Sequence, residues 1–297
     1  TIFIYIFICS KKIKNYVIFA ITIWVNNLIP SILPFLLISK LLIYYGFIDY
    51  LNIIFGNIIN KIFNISKNST FVIIISMFTG FPSGSIYIKD LLSKNMININ
   101  EANHLIMFTN FANPLFIISA IGENLLNNKK IGIFIFIIHL ISGLITGFFF
   151  KNRNKYFDYK TKNIEDNNIS FINMLINSIY DSFKVLVNML GIIIFFLMIV
   201  SIIDTIFNDN ILVLILKGII EMTTGITLIS KAKINIRLKT SLICFLLSFS
   251  GISIHFQTKS IIDNTNISYK KYLIGRIVHS TLCFSMSYIL FGLFFNL

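Results

Sequence analysis

Few residues in this chain could do chemistry, and most of them interrupt long apolar runs. Glu221, His255, Arg276 and His279, with His139 and Gln257 behind them, stand among Ile, Leu, Phe and Val. An ionisable side chain inside an apolar span is expensive to bury and marks a functional position by default. Arg276 is the only arginine within such a span, and its planar fork suits a bidentate grip on a carboxylate. The plainer alternative pairs Arg276 with Glu221, or has it snorkel to the interface beside Lys271. Three polar breaks add backbone chemistry. Thr79-Gly80-Phe81-Pro82-Ser83-Gly84 can form a turn whose amides point at an anion, with a helix dipole restarting at Ser85. Thr109-Asn110-Phe111-Ala112-Asn113-Pro114 offers side-chain amides and a carbonyl freed by proline. Ser250-Gly251-Ile252-Ser253-Ile254-His255, followed by Gln257, is the third. Their alternatives are a surface loop and a proline kink whose Asn residues bond a neighbouring helix.

Other chemistries find no support. No HExxH motif or Cys/His cluster is present, so neither a metal site nor a cofactor is expected. Cys9, Cys244 and Cys283 lie singly in apolar runs, an odd count without a CxxC pair, which indicates no disulfide framework. A serine nucleophile at Ser83 would want glycine where Phe81 stands, with His255 or His279 the only available base. The expectation is no enzyme. The net charge of +13, from 25 Lys+Arg against 12 Asp+Glu, sits in short gaps. Those gaps hold Lys11, Lys12 and Lys14; Lys151, Arg153, Lys155, Lys160 and Lys162; and Lys231, Lys233, Arg237 and Lys239. That clustering fits the cytoplasmic loops of a membrane protein and not a nucleic-acid surface.

The elements that must position these residues are membrane helices. Hydrophobic residues make up 56% of the chain, charged residues 12%, and the mean hydropathy is +0.83. A soluble fold cannot hide that much apolar surface behind so few charges. At about 20 residues per crossing, 297 residues allow roughly eight to eleven membrane helices. The chain opens at Thr1 inside an apolar run, which reads as the tail of a cut helix. Residues 1–15 form that tail with a basic turn, 16–150 a first membrane repeat, 151–168 a polar basic linker, and 169–297 a second membrane repeat. Within the first repeat, residues 51–69 suit an amphipathic interfacial helix, 71–92 a re-entrant hairpin, and 131–150 a complete span. In the second, 171–207, 211–230, 241–262 and 272–295 are the apolar runs. Lys11–Lys14 and Lys151–Lys162 are expected on one, cytoplasmic side.

The halves echo one another. Pro34–Asp49 lies beside Met189–Asp204; Phe78-Thr79-Gly80 pairs with Phe249-Ser250-Gly251; and Ile97-Asn98-Ile99-Asn100 with Thr265-Asn266-Ile267-Ser268. Paired interrupted segments in two halves point to a transporter's midplane site. The fold expected is all-α, polytopic, with two repeats of broken or re-entrant helices.

An ordered set of motifs carries a family resemblance. It comprises Trp24, Asn27-Leu28-Ile29-Pro30 and Leu33-Pro34-Phe35; Gly80-Phe81-Pro82-Ser83-Gly84; Glu101-Ala102; Phe108-Thr109-Asn110 with Asn113-Pro114-Leu115-Phe116; and His139. Glu221-Met222-Thr223 with Gly225, then Leu247 to His255 with Gln257, and Arg276 and His279 complete it. Together they resemble the sporulation integral membrane proteins of the YlbJ type, whose halves each carry a nucleoside-recognition (Gate) domain. The chain departs from that pattern at Ser250-Gly251, where the family often has Gly-Gly. The resemblance implies transport of dipicolinic acid, a small organic anion, across the mother-cell-derived outer forespore membrane of a spore-former. The expected partners are that anion and the lipid bilayer. The expected substrate residues are Thr79, Gly80, Pro82, Ser83, Gly84, Thr109, Asn110, Asn113, Ser250, Gly251, Ser253, His255, Gln257 and Arg276, with Arg276 as the clamp. Glu221, His139 and His279 are expected to tune coupling. Rival readings are a nucleoside or metal-ion permease of the Gate-domain group, and a non-transporting scaffold of the spore envelope.

Overall fold

The computed structural model describes Tyr5, Phe7 and residues 9–45, 47–151 and 170–295. The linker expectation for 151–168, with Arg153, Lys155, Lys160 and Lys162, and most of the 1–9 tail lie outside the described residues. The first half begins with α1 (Ser10–Ile23), a π-helical turn (Trp24–Leu28), α2 (Ile29–Tyr44) and α3 (Phe47–Phe63). It continues with α4 (Ser69–Thr79), α5 (Ser83–Ser93), α6 (Ile99–Phe108), a longer π-helix (Phe116–Leu125) and α7 (Lys129–Phe149). The second half holds α8 (Phe171–Ile206), α9 (Ile211–Ile220), α10 (Met222–Lys231), α11 (Ile236–Phe249), α12 (Gly251–Ile262) and α13 (Tyr269–Phe295). Among the described residues there is no strand.

Asparagine sets many helix boundaries. Asn98, Asn128, Asn210 and Asn235 each accept a hydrogen bond from a backbone N–H of the helix they precede, at 2.8–3.2 Å. A short amide side chain is among the best N-caps because it satisfies an orphan donor. Asn64, Asn95 and Asn127 take positive φ at the turns that end helices, a conformation Asn tolerates better than most residues. The Asn-rich gaps are therefore stop-and-start signals.

Among the described residues, four helical segments are long and apolar enough to cross a membrane: Lys129–Phe149, Phe171–Ile206, Ile236–Ile262 (α11 and α12 taken together) and Tyr269–Phe295. A fifth arises if the bent pair Ser10–Leu28 and Ile32–Ser39 counts as one span. That is fewer than the eight to eleven the length allowed, because much of the apolar chain is divided into helices of about half a crossing. Ser69–Thr79 and Ile211–Ile220 are examples, at 11 and 10 residues. The 71–92 segment is two short helices packed on one another, as a re-entrant hairpin requires. The 51–69 segment begins its helix earlier, at Phe47, and leaves Ile53, Ile54, Ile58 and Ile62 on an exposed apolar face. Exposed Phe, Ile and Leu recur along α8 and α13, as they should where lipid replaces water as the neighbour.

The core falls into three apolar clusters. One packs the π-helix and α7 against α10, α11 and α13; a second joins α3–α6. The third seats Ala20, Ile23, Ile32 and Leu36 on Leu186, Met189, Ile193 and Leu197 of α8. Trp24 Nε1 donates to Leu186 O at 2.8 Å across that contact. Buried polar ties supplement the packing. Glu101, at the start of α6, accepts from Ser66 N (2.7 Å), Ser66 Oγ (2.6 Å) and Ser69 Oγ (2.5 Å), which pins α4 to α6. Lys217, 1% exposed, pairs with Asp204 and, at 2.5 Å, with Asp209, joining the end of α8 to α9.

The order of elements is alike in the two halves: a broken helix (α4–α5; α9–α10), a second broken one (α6 to the π-helix; α11–α12), then a straight one (α7; α13). The sequence follows it. Leu92-Ser93-Lys94 and Ile97-Asn98-Ile99 match Ile229-Ser230-Lys231 and Ile234-Asn235-Ile236, and His139 falls opposite His279. That order sets Gly80 against Glu221 and Thr109–Asn113 against Ser250, a register other than the Gly80–Gly251 pairing read from local motifs.

Candidate functional site

Each break has a local cause. At the first, Gly80 has φ +76°, and a Cβ there would lie 2.8 Å from Asn113 N. Gly84 approaches the second break still more closely, since a Cβ would meet Thr109 O at 2.2 Å. Only glycine lets these two backbones touch. At the second break, Pro114 supplies no N–H, and Asn113 takes over the local bonding: its Oδ1 accepts from Leu115 N (2.8 Å) and its Nδ2 donates to Phe78 O (2.9 Å). The third break is shorter than the 250–255 stretch expected. Ser250 (φ 76°) and Gly251 (φ +65°) turn the chain, and α12 resumes at once, so Ser253 and His255 are helical. A fourth break, unexpected, falls at Glu221 between α9 and α10. Glu221 caps α10, accepting from Thr223 N (3.2 Å), Thr223 Oγ1 (2.6 Å), Thr224 N (2.8 Å) and Thr224 Oγ1 (2.8 Å).

The breaks enclose a cavity. Gly80, Asn113, Glu221, Ser253 and Gln257 line it, five of the residues expected from sequence. Part of the lining comes from the starts of four helices: Phe81 precedes α5, Asn113 precedes and Phe116 begins the π-helix, Met222 and Thr223 begin α10, and Ser253 lies in the first turn of α12, while Leu28, Ile32, Met189 and Ile193 add an apolar wall from elsewhere. Helix starts carry orphan N–H groups and the positive end of the dipole. Ser253 Oγ and Gln257 Oε1, one helical turn apart on α12, are buried (1% and 3% exposed) and have no hydrogen-bond partner among the described residues. Buried polar atoms without partners are costly, and this pair lies beside the cavity. Space for water in the cavity is about 30 Å³, room for two molecules or so.

Arg276 does not line this cavity. It is fully buried and donates through Nη1 to Asn110 O (2.9 Å) and Ser248 O (3.3 Å), and through Nη2 to Met107 O (2.9 Å). Those carbonyls end α6 and α11, where the dipole is negative, so the guanidinium answers both C-terminal ends at once. Nor does Arg276 pair with Glu221 or reach an interface. Nη1 also lies 3.0 Å from His279 Nδ1. Because arginine only donates, Nδ1 accepts, and His279 Nε2–H donates to His139 O at 2.9 Å. His139 Nε2 accepts from Ala112 N (3.0 Å), which leaves its Nδ1–H to donate to Ser248 Oγ (2.9 Å). Both imidazoles are thereby held neutral with their tautomers fixed. Cys283 Sγ lies within 4.8 Å of both rings, a spacing that could suit a metal, but each ring's lone pair already serves a protein donor.

The remaining expected residues shape the breaks and stay out of the cavity. The Thr79 and Ser83 hydroxyls bond one another, and Ser83 Oγ donates to Gly80 O. Pro82 O accepts from Ser85 Oγ at 2.7 Å. Thr109 Oγ1 donates to Leu105 O (2.9 Å). Asn110 Nδ2 donates to Ser250 Oγ (3.3 Å) and Tyr272 Oη (3.0 Å), joining the breaks of the two halves. His255 bridges Phe249 O (2.9 Å) and Tyr269 Oη (3.0 Å). Sequence reasoning missed Phe81, Phe116, Thr223, Met189 and Ile193 among the lining. Phe116 and Thr223 follow a proline and a capping acid, a signal that was available; Met189 and Ile193 lie mid-helix in α8 and gave none.

Helices that break around a buried cavity carrying a few polar groups, within an all-helical bundle of membrane-crossing length, define an integral, multi-pass membrane protein. Residues 25–127, which include the first two breaks, match the family model described as nucleoside recognition (Gate). The chain is also similar to the sporulation integral membrane protein YlbJ of Bacillus subtilis (strain 168), with 26% identity over 295 residues covering 87% of this chain and 72% of that protein. The family resemblance read from the motifs is thereby borne out. No solved structure matches the chain.

Proposed function

We propose that the protein is a membrane transporter for a small planar organic anion, dipicolinate, which it carries into the developing spore from the outer forespore membrane. The observation that carries this reading is the cavity at four helix starts, with Ser253 and Gln257 left unpartnered beside it. Helix starts at broken membrane segments favour anionic groups of a substrate. Phe81 and Phe116 both line the cavity and offer ring faces to a planar solute. Glu221 is the one titratable side chain in the lining, and its carboxylate is taken up by the donors of its own helix. It is the group placed to couple substrate to a proton, while His139, His279 and Arg276 hold the breaks in position. The division into two membrane repeats, 16–150 and 169–297, belongs to this reading and is supported by the like order of broken and straight helices. The relative's name, a sporulation protein, supports the cellular setting.

A nucleoside permease is the second reading, favoured by the uncharged amides of Asn113 and Gln257 and by the description of the matching family. Uptake of labelled dipicolinate and uridine into proteoliposomes separates them. The expected result is saturable dipicolinate uptake that falls at least tenfold, about 1.4 kcal/mol, in Gln257→Leu. Uridine uptake alone would establish the second reading; uptake of neither, with normal spore dipicolinate in a deletion strain, would favour the scaffold.

A further inference from the structure

We propose that Phe116 is the gate between the central cavity and a wider, amide-bearing vestibule that leads to it, and that solute enters past this ring; this rests on the transport reading above. The vestibule is a second hollow whose wall is mainly apolar, with Phe19, Ile23, Leu125 and Ile226, and which carries the amides of Asn26, Asn27 and Asn124 beside the hydroxyls of Thr22 and Thr227. It offers about 240 Å³ of space for water, against about 30 Å³ in the cavity. Phe116 and Thr223 are the two residues that line both. A buried aromatic ring (9% exposed) thus stands where the wide space meets the narrow one.

The vestibule's walls are unusual. The two π-helical segments among the described residues, Trp24–Leu28 and Phe116–Leu125, face each other across it. The wider π turn is rare and occurs mostly where function needs it. One segment sets Asn26 and Asn27 on the wall; the other sets Phe116, Ala120 and Asn124 there at four-residue intervals. Amides and hydroxyls without fixed charge can exchange a solute's water shell group by group, whether the solute carries carboxylates or hydroxyls. Behind the cavity, Asn110 Nδ2 joins Ser250 Oγ and Tyr272 Oη, and Arg276 ties the ends of α6 and α11 together. The cavity's small volume means a planar solute fits only when Phe116 turns aside.

Thiol labelling reads the gate without depending on which solute is carried. In a Cys9→Ser parent, with Cys244 and Cys283 kept because both are fully buried, single cysteines are placed at Asn124 and Ser253. N-ethylmaleimide is applied to the full chain in proteoliposomes. Asn124→Cys is expected to react at least tenfold faster than Ser253→Cys. Adding Phe116→Ala should raise the Ser253→Cys rate at least tenfold and leave the Asn124→Cys rate unchanged, whereas Phe116→Trp should leave Ser253→Cys slow. If Phe116→Ala is not monodisperse, Phe116→Leu replaces it, with an expected rise of about threefold. An unreactive Asn124→Cys, or a Ser253→Cys rate indifferent to every Phe116 variant, would overturn the gate. Failure of both dipicolinate and uridine uptake beside the expected labelling pattern would count against the transport reading and leave the gate standing.

Discussion

The central cavity and the cluster around Arg276 are built from the same broken helices, yet their polar chemistry is opposite. Helix starts converge on the cavity and helix ends on Arg276, so the dipoles present positive ends to one and negative ends to the other. The Arg276 cluster is largely bonded: three carbonyls and two imidazoles have partners, and Arg276 Nε and the Oδ1 of Asn110 lack one among the described residues. The cavity leaves Ser253 and Gln257 waiting. A polar cluster that satisfies itself has less to offer a ligand than one that faces space unsatisfied, and on that contrast rests the proposal that Arg276 positions the breaks, even though its type alone suggested a clamp.

Several substitutions would break or sharpen this contrast. The largest effect is expected from Arg276→Gln, which strands three buried carbonyls and the His279 acceptor. Stability should fall by at least about 3 kcal/mol, read as loss of monodisperse protein in fluorescence size exclusion. Arg276→Lys should recover part of it. Normal yield and melting of Arg276→Gln with transport alone abolished would restore the clamp and dissolve the contrast. Gly275→Ala tests the same region by packing, since its Cβ would lie 2.1 Å from Met107 O. A rigid backbone neighbour cannot yield as a flexible side chain would, so about 1–3 kcal/mol should be lost in thermal melts. A wild-type melting temperature would mean that α6 and α13 are not locked together.

On the cavity side, Gln257→Leu should leave stability within about 0.5 kcal/mol of wild type, because it removes an amide oxygen with no partner. A loss as large as that of Arg276→Gln would show Gln257 to be structural. The smallest effect belongs to Gly191 in α8, where a Cβ would meet nothing within 4 Å. Gly191→Ala should raise stability by up to about 1 kcal/mol through helix propensity alone. Destabilisation there would mean that another helix covers this face.

The helical class, the multi-pass character, the places where three helices break and about a third of the cavity lining were legible in the sequence. Composition forces a membrane environment, and an apolar run interrupted by Gly80, Pro114 or Gly251 has few other ways to be folded there. These are local properties, set by backbone freedom and by the cost of burying polar groups, and they need no knowledge of neighbours. Tertiary structure decided the rest. It turned Arg276 towards the carbonyls of Met107, Asn110 and Ser248, tied both imidazoles into the same cluster, and broke α9–α10 at Glu221, whose side chain then caps the helix it begins. It brought Phe81, Phe116 and Met189 to one cavity from three separate elements. Whether a polar group is satisfied depends on atoms distant in the chain. Residue type therefore announces the cost of burial, and only the packed fold shows whether protein or ligand meets it.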